Sequence, residues 1–136
     1  MRMRLRIFLL SAACVAASAF LASCAGGSGV IPPGLSAAEI FQRAQDASDR
    51  GDYAAGIRYY SQIETTYPDD INHRTWAAYE IAVCYHKMGK NDMARSLVDD
   101  LLARYEKDAA ALPPAPRVLS LKLKTRLEET SPPKTP

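Results

Sequence analysis

Residues 37–70 read AAEIFQRAQDASDRGDYAAGIRYYSQIETTYPDD, and their spacing decides the fold class. Small and apolar residues at Ala37, Ile40, Phe41, Ala44 and Ala47 recur at the period of a helix with one covered face. Just ahead of them Ser36 stands three positions before Glu39, a capping box, and Leu35 and Ile40 flank it as a hydrophobic staple. A helix therefore starts at Ser36. Arg50-Gly51-Asp52 interrupts the pattern, and Asp52 caps a second helix over 53–66 that places Ile57, Tyr60 and Ile63 on one face. Tyr67-Pro68-Asp69-Asp70 ends it.

Residues 75–108 read TWAAYEIAVCYHKMGKNDMARSLVDDLLARYEKD and repeat this plan. Aligned on Gly51 and Gly89, Ala44 matches Ala82, Ala47 matches Tyr85, Gly56 matches Ala94, Tyr60 matches Val98 and Ile63 matches Leu101. Small residues allow helices to cross closely, larger ones fill the gap between units, and a glycine ends the first helix of each pair with positive φ. The spacing predicts a third helix over about 72–88 and a fourth over 92–106, separated by Gly89-Lys90-Asn91. In the third, Ala78, Ile81, Ala82 and Tyr85 form one stripe, expected against the second and fourth helices. Trp76, Tyr79, Val83 and His86 form another. Residues 118–128 carry two patterns. Leu119, Leu121 and Leu123 alternate as in a strand, while Leu119, Leu123 and Leu127 recur at i, i+4, i+8. Leucine is a weak strand former and no partner strand is available, so a fifth helix starting near Pro116 is expected.

The pattern resembles the tetratricopeptide repeat (TPR). The first unit follows it closely, with small residues before the Gly-Asp-Tyr turn, a small residue and an aromatic after it, and Pro68 at its close. The second has Asn91 where an aromatic is usual and Glu106 where proline is usual. The glycines lie 38 residues apart rather than 34, placing about four inserted residues near 70–74. The resemblance, covering about 36–108, implies an all-α fold of two helix–turn–helix units plus a closing helix. The Tyr-Pro ending and long linker are similar to TPR lipoproteins of bacterial envelopes, the BamD-type β-barrel assembly and YbgF-type Tol-associated proteins.

The N-terminus has the three parts of an export signal: Arg2, Arg4 and Arg6, an uncharged run over 7–20, and the exit Leu21-Ala22-Ser23-Cys24. That exit resembles the lipoprotein signal, which implies cleavage before Cys24, a diacylglycerol on its thiol and an acyl chain on its amine. Two or more chains anchor stably where one does not. The expected organisation is a signal peptide over 1–23, a lipidated cysteine and tether over 24–34, a helical domain over 35–130 and a disordered tail over 131–136. The competing reading is an uncleaved membrane helix, for which the apolar stretch is long enough. Against it, Ala and Ser fill the second half, and Gly26, Gly27 and Gly29 follow. Ala25 in place of Asp implies, by the same resemblance, sorting to the outer membrane, facing the periplasm.

The composition agrees. The 136-residue chain carries 17 basic and 15 acidic residues, a net charge of +2. Removing the three signal arginines leaves 14 basic against 15 acidic, which takes away support for a nucleic-acid partner. Of 3 cysteines only Cys84 remains as a thiol in the folded part, so no disulfide framework forms, and a buried position is expected for it. His73 and His86 have no third ligand in range, so no metal site is expected. Cys84 and His86, two apart on one helix, point to different faces and make no nucleophile–base pair. No phosphate loop or nucleophile elbow is present. Asp99-Asp100 and Glu128-Glu129 read as solvated helix faces. No catalytic residue, cofactor or small-molecule substrate is expected.

In TPR proteins the first helix of each unit lines a groove that holds partner segments. Carried over by position, that implies Phe41, Gln42, Gln45 and Asp49 in one strip and Trp76, Tyr79, Glu80, Val83, His86 and Lys87 in the next. Trp and Tyr are frequent binding anchors. The residues also allow a second arrangement, in which the fifth helix folds back over the Trp76/Tyr79 stripe as a cap, since terminal repeats expose apolar surface. A two-repeat stack can, besides, pair with a second copy through its open end. The expected function is a protein-binding scaffold, held at the membrane by its lipid, in outer-membrane protein assembly of the BamD kind. The alternative is a YbgF-like or pilotin-like role in envelope constriction or in secretin and pilus assembly.

Overall fold

The computed structural model describes residues 32–130. The expected signal peptide, Cys24, the expected tether before Pro32 and the 131–136 tail lie outside the described residues. Those described form five helices and no strand: α1 (Ala37–Asp49), α2 (Tyr53–Thr66), α3 (Ile71–Lys87), α4 (Asn91–Asp108) and α5 (Pro114–Glu129). Each packs on the next in sequence, and α1 also touches α3 as α3 touches α5. The first helices of successive units thus stand in a row, α1–α3–α5, with α2 and α4 behind them.

Both intra-unit turns are the same device. After α1, Gly51 (φ 80°) donates to the Ser48 carbonyl and Asp52 to the Ala47 carbonyl, each at 2.9 Å. After α3, Gly89 (φ 74°) donates to His86 and Lys90 to Tyr85, again at 2.9 Å. This is the Schellman ending, which needs the left-handed conformation that glycine adopts without a Cβ penalty. In the first unit the residue after glycine also caps the next helix, Asp52 accepting from the Ala55 amide at 2.9 Å. In the second unit Lys90 occupies that place and cannot accept, so α4 starts without a side-chain cap, at Asn91 rather than Asp92. Asn91 instead meets His86, Oδ1 to Nδ1, at 3.0 Å.

The four extra residues between units are not a linker. α1 has 13 residues and α3 has 17, so the insertion is one additional helical turn at the start of α3. Asp70 caps it, accepting from the His73 amide at 3.0 Å, and its other oxygen lies 2.7 Å from His73 Nδ1. The backbone hydrogen bond first, and the histidine ring second, hold the Asp70 carboxyl below the usual carboxylate range. A carboxyl lowered on folding stabilises above its unfolded pKa and loses that contribution as pH falls through the folded one. Asp70→Ala should therefore cost about 1 kcal/mol at neutral pH, with the gap narrowing under acid. Urea unfolding of both chains at pH 7 and pH 3 checks this, and an equally wide gap at both would refute it.

Two apolar clusters share α3 as their common wall. Ile40, Ala44, Tyr60 and Ile63 meet Ala77 and Cys84 in the first, and Ala94, Val98, Leu123 and Leu127 meet Ala82 in the second. This corrects the expected faces of α3. Ala77 and Cys84 turn to α1 and α2 with Ile81 beside them, whereas Ala82 turns to the other cluster. Ala78 and Tyr85 are only half-buried. α5 starts at Pro114, two residues before the expected Pro116, which is itself buried. Of its two patterns the helical one holds: Leu123 and Leu127 are buried, Leu119 is half-buried and Leu121 is 50% exposed.

Candidate functional site

The row α1–α3 frames a cleft of about 240 Å³ lined by Phe41, Gln45, Asn72, His73, Trp76 and Glu80. Phe41 and Gln45 sit one turn apart on α1. Asn72, Trp76 and Glu80 are spaced i, i+4, i+8 on α3 and therefore fall in one column. Phe41 is fixed from behind, its ring edge-on to Tyr60 at 5.1 Å and to His73 at 5.9 Å. Trp76 stands edge-on to Tyr79 at 6.3 Å. Both rings are half-buried, anchored on one side and open to the cleft on the other.

Glu80 is half-buried, and no hydrogen bond or ion pair is found for it among the described residues. Burial, and then repulsion from Asp49 across the helix row, pushes its carboxyl above the usual range. His73, by contrast, is committed to Asp70. Below the cleft Cys84 is 2% exposed, with its Sγ 3.4 Å from Ser48 Oγ, and burial raises its thiol. A buried, protonated thiol is a poor nucleophile. Among the described residues no group of three side chains is placed to hold a metal ion.

Of the ten groove residues expected from the sequence, the structure brings Phe41, Gln45, Trp76 and Glu80 together, with Asp49 near enough to act on Glu80. Gln42 is exposed and donates to Asp46 Oδ1 at 2.9 Å. Tyr79 and Val83 pack instead against the cluster that holds Leu123 and Leu127. The two arrangements considered for the stripe thus divide it: α5 covers Tyr79 and Val83, and Trp76 and Glu80 face the cleft. His86 is engaged with Asn91, and Lys87 is exposed. Asn72 and His73 were missed as groove residues, because they lie in the additional turn, outside the register of the repeat. The signal that locates them is Asp70, a capping residue three positions before His73.

A larger hollow of about 330 Å³ lies where α3 begins and α4 ends, with Arg74, Arg104 and Lys107 around Ile71 and Leu112. Glu64 faces both guanidinium groups, at 3.4 Å from Arg74 and 3.7 Å from Arg104.

No curated protein and no solved structure matches the chain. Residues 47–112 match the family model described as tetratricopeptide repeat, a span that runs from the end of α1 to the loop before α5. With the paired glycine turns and the α1–α3–α5 row, that match supports a tetratricopeptide-repeat architecture over those residues.

Proposed function

We propose that this protein is a non-enzymatic docking module of the bacterial envelope, held to the outer membrane by lipid on Cys24, whose α1–α3 cleft binds a segment of the β-barrel assembly machinery. The observation that carries the docking reading is the convergence on one cleft of two half-buried aromatic rings, two amides and a carboxylate that has no ion-pair partner among the described residues. Anchored rings with one open face lose little freedom on binding, and such residues dominate interface energetics. The repeat supports the same reading, since stacked helical units present an extended surface rather than a reaction centre. Anchoring rests on Leu21-Ala22-Ser23-Cys24, and the envelope partner on the resemblance to TPR lipoproteins.

The test is in-cell photo-crosslinking from Gln45, which is exposed and lines the cleft. A β-barrel assembly component should be captured. A Trp76→Ala chain should capture at least tenfold less, since losing a buried aromatic anchor costs about 2 kcal/mol or more. A Cys24→Ala chain should lose its acyl label and persist as precursor. Capture of a Tol-associated or secretin partner would replace the assembly role by the YbgF-like or pilotin-like one, and acyl labelling without Cys24 would remove the anchor.

A further inference from the structure

The charge of the cleft says more about its occupant than its shape does. Glu80 and Asp49 approach it from α3 and α1, and neither makes an ion pair with a described residue. The one basic side chain in the lining, His73, is turned to Asp70 at 2.7 Å. Asp46, the next carboxylate along α1, is occupied by Gln42. The walls are the rings of Phe41 and Trp76, whose faces carry negative potential.

Three kinds of side chain compete for such a space. An aliphatic one would gain burial against the rings but would strip water from the Glu80 carboxylate and offer nothing in return, a heavy penalty for a charged group. An acidic one would meet two carboxylates. A lysine or arginine side chain lays its methylenes along the rings, places its charge over an aromatic face and ends at a carboxylate. The cavity, at about 240 Å³, equals on the order of eight waters at roughly 30 Å³ each, room for one long side chain and residual solvent.

We propose that the α1–α3 cleft is selective for a basic residue of the partner segment, whose cationic group is received by Glu80 with Asp49 in support while its stem lies against Trp76. This rests on the docking reading above and specifies its chemistry. Gln45 and Asn72 are left to hydrogen-bond the backbone on either side of that residue.

The chain has a single tryptophan, Trp76, so its emission reports on the cleft alone. The experiment titrates the full chain in detergent with five pools of nine-residue peptides, randomised except at the centre, which is fixed as Lys, Arg, Gln, Glu or Leu. The Lys and Arg pools should shift Trp76 emission with an apparent affinity about tenfold above the Gln pool, weakening as salt rises. The Glu pool should give no response. Glu80→Gln, nearly equal in size and relieved of a half-buried charge, should keep the fold and reduce the basic pools to the level of the Gln pool. Asp49→Asn should act in the same direction by a smaller factor. Equal or tighter binding of the Gln, Leu or Glu pools, or a Lys preference that survives Glu80→Gln, overturns the basic specificity and leaves docking in place. Silence of Trp76 toward all five pools overturns both.

Discussion

Gly56→Val is expected to unfold the first helical pair or bring it close to unfolding, with a loss of about 3 kcal/mol or more and a fall in Tm of at least about 12 °C for a domain this small. Gly56 lies in the first turns of α2, where that helix crosses α1 and α3. A Cβ built there would overlap the Ser48 hydroxyl, stand 3.3 Å from the Ala44 carbonyl oxygen and 3.6 Å from Cys84 Sγ. Ser48 is not free to leave without cost: its hydroxyl donates to that same Ala44 carbonyl at 2.9 Å and touches Cys84. The carbonyl is backbone and yields only if α1 moves. Gly56→Ala sets two effects against each other, a gain of about 1 kcal/mol in helix propensity and a displaced, half-buried hydroxyl. The alanine chain should fall near the parent, and adding Ser48→Ala should raise it. Valine brings two further methyls and no such escape. Thermal melts of the parent, Gly56→Ala, Ser48→Ala and the double variant form a cycle, with Gly56→Val melted beside them. A valine variant as stable as the parent, or a Gly56→Ala chain that gains nothing from Ser48→Ala, would show that the crossing is looser than described.

A chain ending at Ala111 should lose the second unit. α5 supplies Leu123 and Leu127, 6% and 0% exposed, as the outer wall of the cluster around Ala82, Ala94 and Val98. Arg95 reaches the Leu127 carbonyl at 3.2 Å, and the Tyr105 hydroxyl donates to the Pro113 carbonyl at 2.5 Å. Two leucines removed from the interior forfeit roughly 3–6 kcal/mol, comparable with the whole stability of many small domains. The loss should be local, because Ile40, Tyr60 and Ile63 close the first cluster without help from α5. Amide exchange should therefore accelerate throughout α4 and along the Ala82 side of α3, while α1 and α2 keep slower amides. A truncated chain with unchanged protection in α4 would reduce α5 to an appendage.

The elements were legible because their ends are written in residue types with few alternatives. Ser36 with Glu39, Asp52, and glycines at 51 and 89 each solve a hydrogen-bonding problem that only a few side chains, or none, can solve. The orientation of α3 was not legible. From Trp76 to Tyr85 nearly every position is apolar, so hydrophobicity alone gives no preferred face. Size decides instead. Ala77, Ala82 and Cys84 go inward because two helices must approach on each side, and the larger Trp76 and Tyr79 stay half-buried. For the cleft, Phe41, Gln45, Trp76 and Glu80 could be found through the repeat register. Asn72 and His73 could not, since they precede the first position of α3 that the register shares with α1.

That added turn has a metric consequence. Asn72, Trp76 and Glu80 become three rungs on one side of α3, and a step of four residues at 1.5 Å makes each rung about 6 Å above the last. Alternate residues of an extended polypeptide repeat at about 6.6 Å. A strand lying along α3 therefore meets an amide, an indole and a carboxylate with its first, third and fifth side chains. Under the proposed docking, two marks would let a segment slide along the ruler, and three unlike marks would fix where reading begins.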